Sequence, residues 1–131
     1  MTLPTQASYV FQISFGEKIL ASASEDGIVR LWNLTDGSLA KALVGHEGAV
    51  ETVAFRPTVR PYKQQLLSGG IDGMLRLWAA DGETLQHWRA HDQGVSAIAW
   101  NPKGTLIASG STDKTVKIWA DNGTLQHVLT G

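Results

Sequence analysis

The sequence predicts an all-β chain of three repeated units, each made of four short antiparallel strands. Trp32, Trp78 and Trp119 stand 46 and 41 residues apart, and each closes a strand-like run. The tetrapeptide Thr-Leu-Gln-His at 84–87 recurs at 124–127. An aspartate stands six residues before each tryptophan and a serine four residues before each aspartate, which gives Asp26, Asp72 and Asp113, and Ser22, Ser68 and Ser109.

Turn residues divide each unit into short segments with a period of two, which favours strands over helices. In the second unit, strands are predicted at 49–55, 66–70, 74–78 and 84–88. The third strands of the other units are predicted at 28–32 and 115–119. The last connection of each unit carries Asp-Gly or Asn-Gly, which favours a two-residue hairpin turn, at 36–37, 81–82 and 122–123. Each unit is therefore expected to be a four-stranded meander.

The repeat period places the three units at 1–44, 45–89 and 90–131. The units differ most in their first connection, which in the second unit runs over 56–65 and is four residues longer than in the third. An insertion confined to a surface loop costs little stability. The repeat therefore extends over the whole chain, with variation concentrated in a loop.

Composition excludes several classes of protein. The chain has 131 residues, of which 43% are hydrophobic, and its formal net charge is −1. The apolar fraction is too high for a disordered tail, and the balanced charge argues against a nucleic-acid partner. Without cysteine there is no disulfide framework, and the apolar runs are too short for a membrane span. Because the first fifteen residues lack the features of a secretion signal, a cytoplasmic location is expected.

Gly45-His46 and Ala90-His91 open the second and third units, each ahead of an apolar strand, a serine, an aspartate and a tryptophan. In this order and spacing the chain resembles the WD-repeat β-propeller family over essentially its whole length. The resemblance implies three four-stranded antiparallel blades that form an incomplete ring. The chain departs from the family pattern at five positions: Asn33, Ala79 and Ala120 replace the aspartate after tryptophan, Ala90 replaces glycine, and Gln6 stands where the first unit should have histidine.

The repeated polar residues can form a hydrogen-bond network within each blade. A turn aspartate can accept from backbone amides and a histidine ring, the histidine can reach a serine, and the serine can accept from an indole N–H. Such a chain satisfies each polar group that it buries. The residues assigned to this structural network are Asp26, His46, Ser68, Asp72, Trp78, His91, Ser109, Asp113 and Trp119.

Serine, histidine and aspartate together can also form a catalytic triad. A triad occurs once in a site, however, whereas this set recurs at the repeat period. Motifs for an esterase elbow, a phosphate-binding loop or a zinc site do not occur in the sequence. The chain is therefore expected to be no enzyme, with no catalytic residue, no bound metal and no cofactor.

The family's loop arrangement assigns side chains to two opposite faces of the blades. We use first face for the loops that precede each inner strand and those that join the second and third strands, and second face for the other connections. The candidate partner-binding residues on the first face are Glu25, Glu47, Ile71, Asp92 and Thr112. The second face is expected to carry basic residues and one tyrosine, namely Lys18, Arg56, Arg60, Lys63, Lys103 and Tyr62.

Opposite charge on the two faces would steer a basic peptide to the first face and an acidic or phosphorylated one to the second. Ordinary solvated loop charge is the alternative interpretation. The function implied by the resemblance is a non-catalytic scaffold that binds a protein or peptide partner through blade loops. Two alternatives stay open, a regulatory or sensory segment of a larger signalling enzyme and a remnant without independent function.

Three blades are one fewer than the smallest propeller ring. An open arc exposes the apolar faces of its two end blades, which is more apolar surface than soluble monomers usually tolerate. Further blades are therefore expected, either from a longer chain or from homo-oligomerisation in which copies assemble into a closed ring. Neither nucleic acid nor a membrane is expected as a partner.

Overall fold

A computed structural model of the protein describes residues 8–57 and 63–130 and is all-β in those ranges. Within them, no helix has the length and apolar character needed to cross a membrane. Gln6, Arg60 and Tyr62 lie outside the described residues. The strands are β1 Val10–Phe15, β2 Ile19–Ser24, β3 Ile28–Asn33, β4 Leu39–Val44, β5 Val50–Phe55, β6 Gln65–Gly70, β7 Met74–Ala79, β8 Thr84–Arg89, β9 Val95–Trp100, β10 Leu106–Ser111, β11 Thr115–Ala120 and β12 Leu125–Thr130.

The strands form three separate four-stranded sheets, here called blades 1, 2 and 3. Each is an antiparallel meander in which the strands pair in chain order, β1 to β4, β5 to β8 and β9 to β12. This confirms the all-β fold class and the meander predicted for each unit. In blade 2 the strand bounds differ from the predicted ones by one residue at most.

The hairpin loops between the third and fourth strands differ from the prediction. In blade 2 the Ala79 N–H donates to the Glu83 carbonyl over 2.8 Å, which leaves three residues in the loop. Gly82 has a φ of 93°, whereas its neighbour Asp81 is not among the residues with positive φ. A three-residue loop ending in a left-handed glycine accounts for both observations. The predicted two-residue turn is wrong because only one residue of the Asp-Gly pair takes the left-handed conformation.

The three blades share one register. Phe15 pairs with Leu20, Phe55 with Leu66, and Trp100 with Ile107, at the same place in each sheet. Consecutive blades pack through their inner strands, with β5 against β1 and β2, and β9 against β5 and β6. Blade 2 therefore lies between blades 1 and 3, and the described strands form an open arc rather than a closed ring.

The hydrophobic core lies between blades. Ala21 and Leu31 of blade 1 pack with Val53 and Trp78 of blade 2 in one buried cluster. A second cluster joins blades 2 and 3 and includes Leu67, Leu77, Ile107 and Trp119. Because side chains alternate along a strand, the two middle strands of blade 2 contribute to one cluster from one face and to the other cluster from the opposite face. Each blade is therefore stabilised mainly by its neighbours.

Arg56 links blades 2 and 3 and is not part of a free basic surface. Its Nε donates to the Gly104 carbonyl over 2.8 Å, and its Nη2 lies 2.6 Å from Asp121 Oδ2. The guanidinium also stands 5.1 Å from the centre of the Trp100 ring. The expectation that Arg56 faces a partner is wrong, because a buried arginine is paired or stacked rather than left to solvent.

Two turn glycines allow consecutive blades to approach each other. Gly27 has a φ of 84°, and a Cβ there would lie 2.7 Å from the Gly48 carbonyl oxygen of blade 2. Gly73 has a φ of 77°, and a Cβ there would collide with the His91 carbonyl oxygen of blade 3. Both positions combine left-handed backbone with contact to the next blade, so glycine fits them on two grounds.

We expect Gly73→Ala to lower the free energy of unfolding by about 2 kcal/mol or more. The penalty combines the left-handed conformation, about 1–2 kcal/mol for a residue with Cβ, with the displaced contact to blade 3. Urea denaturation followed by tryptophan fluorescence measures the change. Gly110→Ala is the control, because a Cβ there meets only the Ala97 carbonyl oxygen at 3.9 Å. Equal losses in the two variants would contradict the role given to Gly73.

Candidate interaction face

A continuous hydrogen-bond chain runs through blade 2. The Trp78 indole N–H donates to Ser68 Oγ over 2.8 Å, and Ser68 Oγ lies 2.7 Å from His46 Nε2. His46 Nδ1 lies 3.1 Å from Asp72 Oδ2. With a neutral histidine ring, each group donates to the next: the indole N–H to the serine hydroxyl, the hydroxyl to Nε2, and Nδ1–H to the carboxylate. Each of the four side chains in this hydrogen-bond chain therefore has a partner.

Blade 3 repeats the chain. Trp119 donates to Ser109 Oγ over 2.9 Å, Ser109 Oγ lies 2.8 Å from His91 Nε2, and His91 Nδ1 lies 2.8 Å from Asp113 Oδ2. Thr115 adds a hydroxyl that donates to Asp113 Oδ1 over 2.6 Å. Sequence reasoning missed this threonine, although its place two residues after a turn aspartate is a recognisable signal.

Blade 1 keeps the tryptophan–serine end of the hydrogen-bond chain, and its turn aspartate pairs with an arginine. The Trp32 indole still donates to Ser22 Oγ over 3.0 Å. Asp26, assigned to the network from sequence, instead pairs with Arg30, whose Nη2 lies 2.6 Å from Asp26 Oδ2. Among the described residues, the turn carboxylate of blade 1 is thus held by an arginine four residues further along, whereas those of blades 2 and 3 are held by a histidine ring.

Burial and hydrogen bonding shift the pKa of three groups in these chains. Burial lowers the pKa of His46 below its usual 6.5, although the nearby Asp72 carboxylate opposes the shift. The Thr115 hydroxyl and then the His91 ring lower the pKa of Asp113 well below 3.8. The hydrogen bond from Arg30 is the main cause of a lowered pKa at Asp26. These aspartates therefore stay ionised at neutral pH.

The buried serines are unsuited to nucleophilic catalysis. Ser68 and Ser109 are both 0% exposed, and each hydroxyl is held between a histidine and an indole N–H. A substrate carbonyl has no route to such an oxygen. In the part of the chain that the structure describes, no three acidic, histidine or cysteine side chains are grouped so as to hold a metal ion.

The hydrogen-bond chains hold the first-face loops in place. Asp72 Oδ2 accepts from the Glu47 backbone N–H over 3.0 Å, and Asp72 Oδ1 accepts from Met74 N–H over 3.1 Å. One carboxylate therefore ties the loop before β5 to the turn between β6 and β7. Because Asp72 is also bonded to His46, the position of this loop depends on the buried chain behind it.

Backbone bonds connect the same two loops in every blade. Glu25 N–H donates to the Tyr9 carbonyl over 2.9 Å, Ile71 N–H to Ala49 over 3.0 Å, and Thr112 N–H to Gly94 over 3.3 Å. The candidate residues on these loops all have exposed side chains, and they are Glu25, Glu47, Ile71, Asp92 and Thr112. Ile71, which is 52% exposed, is the large apolar member of this set.

A neighbouring cavity of about 240 Å³ was not predicted from the sequence. It lies beside Glu47 and Asp72 and is also lined by Arg76, His87 and Arg89. The last two belong to β8, far from the first-face loops along the chain, so no local motif places them there. Their alternate positions on one strand, which put both side chains on one side of the sheet, are the signal that could have found them.

Comparison with known proteins relates the chain to a repeat family. The profile described as WD domain, G-beta repeat matches residues 1–33, 37–79 and 82–120. The second and third matches each begin one strand before an inner strand, so a matched repeat spans parts of two blades. This confirms the resemblance stated from the sequence.

Several curated relatives share this similarity. A nuclear distribution protein PAC1 of Coccidioides posadasii is 33% identical, over 86% of this chain and 28% of its own length. A p21-activated protein kinase-interacting protein 1-like of Danio rerio is 32% identical, over 82% and 28% respectively. A polyadenylation factor subunit 2 of Schizosaccharomyces pombe is 28% identical, over 84% and 26%. The chain spans between about a quarter and a third of the length of these relatives.

We expect Ser68→Ala to lower the free energy of unfolding by about 2 kcal/mol or more. It leaves two buried nitrogens without a partner, His46 Nε2 and Trp78 Nε1, and each orphaned group costs about 1–3 kcal/mol. Ser22→Ala is the matched control in blade 1, because among the described residues it removes the partner of Trp32 alone. Denaturant titration of both variants measures the difference. A loss for Ser22→Ala as large as that for Ser68→Ala would argue against the linked chain.

We expect stability to fall as pH drops below 6.5, and His46 to contribute to the slope. Because its pKa is lowered in the folded state, the unfolded chain takes up the proton first, and stability present above 6.5 is lost as pH falls. Asp113 adds a second loss below 3.8. His46→Gln should flatten the slope between about pH 7 and pH 5, measured by urea denaturation at each pH. His87→Gln, at an exposed ring, controls for the loss of one histidine, and an unchanged slope in His46→Gln would refute the assignment.

Proposed function

The chain belongs to the WD40 family of WD domain, G-beta repeats, and on this premise we propose that it is a non-catalytic platform that binds a protein or peptide through its first face. The supporting observation is that five side chains on loops of one face are exposed, while backbone hydrogen bonds join these loops to each other in every blade. A rigid scaffold that displays exposed loop residues is a common arrangement for binding sites. The loops lose little conformational entropy when a ligand binds.

The charge of the first face favours a basic peptide. Glu25, Glu47 and Asp92 supply three carboxylates on exposed loops, one from each blade. Ile71, on the central blade, supplies an apolar contact among them. We therefore expect a ligand with lysine or arginine side chains placed around an apolar residue. Carboxylates of this kind increase the association rate of a basic ligand and select it over an acidic one.

The second face is a weaker candidate for binding an acidic peptide. Lys18, Lys63 and Lys103 are exposed there. Arg56, however, uses its guanidinium to join blades 2 and 3 and is buried. An acidic peptide would thus meet separated lysines on flexible stems rather than a paired arginine fork.

Two relatives carry names that agree with a role in protein assembly. One is called a kinase-interacting protein, and another is called a subunit of a polyadenylation factor. We extend to this chain only the general property of association with other proteins. The buried, doubly bonded serines support the non-catalytic part of the proposal.

Phage display of random 12-residue peptides on the immobilised chain tests this function. We expect the selected peptides to be enriched in lysine and arginine around an apolar residue. A fluorescein-labelled selected peptide should bind Glu47→Lys/Asp92→Lys about tenfold more weakly, with a shallower dependence on salt, when measured by fluorescence anisotropy.

Glu17→Lys/Glu83→Lys is the matched control. Both glutamates are exposed on second-face turns, and their replacement changes the net charge by the same amount. Affinity should change less than twofold in this variant. Selection of acidic peptides, or equal loss of affinity in the two double variants, would overturn the proposed ligand class.

A further inference from the structure

The outward side of blade 1 carries a row of large apolar side chains on β1. Phe11, Ile13 and Phe15 are 46%, 53% and 71% exposed. The residues between them point the other way, because Gln12 accepts from Val53 N–H over 3.0 Å and Ser14 Oγ accepts from Phe55 N–H over 3.2 Å, both in blade 2. The alternation along β1 therefore directs the three apolar side chains away from the arc.

Residues equivalent to Phe15 are used inside the arc to join blades. Phe55 packs against the cluster that contains Ala21 and Leu31 of blade 1. Trp100 packs with Leu67 and Leu77 of blade 2, and its indole N–H donates to the Ala54 carbonyl over 3.1 Å. A large aromatic side chain at the end of the inner strand thus seats on the preceding blade at both internal junctions. Phe15 occupies the same register position with no such seat among the described residues.

The opposite end of the arc offers a seat of the same kind. A cavity of about 220 Å³ opens on blade 3 and is lined by Ala99, Ala108 and Ile118, together with Leu106. In the strand register, Ala99 pairs with Ala108 and Ala108 with Ile118. Ala54, Leu67 and Leu77, which hold Trp100 in blade 2, pair in the same sequence. The cavity is therefore the counterpart of the Trp100 seat.

We propose that the chain associates head to tail, with Phe15 of one copy inserted into the Ala99–Ala108–Ile118 cavity of a second copy. Phe15 would lie against the small side chains of Ala99 and Ala108, as Phe55 lies against the cluster that contains Ala21 at the junction of blades 1 and 2. A cavity of about 150 Å³ can already take a benzene ring, so this one has room for a phenylalanine. The contact joins two different surfaces and therefore leads either to a closed ring or to a filament.

This association uses neither the first-face loops nor their charge, so it is independent of the proposed peptide binding. Sedimentation velocity of the full chain over a range of concentrations tests it, and we expect species larger than the monomer. Phe15→Glu and Ala99→Glu each place a charge at an exposed position and should each give a monomer. Circular dichroism and thermal unfolding establish that both variants fold.

Mixing the two variants distinguishes head-to-tail contact from other modes. The Phe15→Glu copy keeps an intact cavity and the Ala99→Glu copy keeps an intact Phe15, so an equimolar mixture should form a one-to-one dimer that grows no further. If either variant associates on its own, or if the mixture stays monomeric, the proposal fails. A monomeric parent chain at all concentrations would also overturn it.

A variant that should associate more tightly provides a test that does not rely on disrupting the contact between copies. Phe15→Trp adds the indole N–H that Trp100 donates at the internal junction, and it should lower the dissociation constant roughly fivefold. Ile71→Glu is the control, because it removes an exposed apolar side chain that lies at neither end of the arc. It should weaken peptide binding and leave association unchanged. Weaker association in Phe15→Trp, or reduced association in Ile71→Glu, would contradict the proposed contact.

Discussion

The hydrogen-bond chain from Trp78 through Ser68 and His46 to Asp72 is the interaction on which the blade and its surface both depend. At one end, the indole belongs to the core between blades 1 and 2. At the other, the carboxylate holds the Glu47 amide on the first face. A polar chain in a low-dielectric interior favours one arrangement strongly, because each broken link leaves a buried group unsatisfied. The inner core and the outer loops therefore share one set of constraints.

Much of this arrangement could be predicted from the sequence, because the same spacing of serine, aspartate and tryptophan occurs three times. Strand order, the serine and histidine partners of Trp78 and Trp119, and the meander all follow from spacing. Arg56 could not be assigned in this way, because its partners Gly104 and Asp121 are 48 and 65 residues distant and belong to another blade. The position of Arg56 in a predicted loop indicated an exposed side chain, whereas in the structure its guanidinium is buried and bonded to blade 3.

The same limit applies to the surfaces. Periodicity identifies the side chains that alternate along β1, but only the packing of blade 2 shows which set is covered and which is left outward. The candidate residues of the first face are exposed as the loop pattern indicated, yet the arginine and histidine of the adjoining cavity come from β8 and carry no local motif. Side-chain alternation therefore predicts an exposed surface only when the order and packing of the blades are also known.

Blade 1 differs from the others in how its turn carboxylate is held, and this difference has a dynamic consequence. The Asp26–Arg30 pair is partly open to solvent, with side-chain exposures of 31% and 17%, whereas the His46 ring is 1% exposed. Mobile ions weaken an exposed pair far more than a buried hydrogen bond. Raised ionic strength should thus loosen the turn of blade 1 first, so amide hydrogens there would exchange with solvent sooner than those of blades 2 and 3.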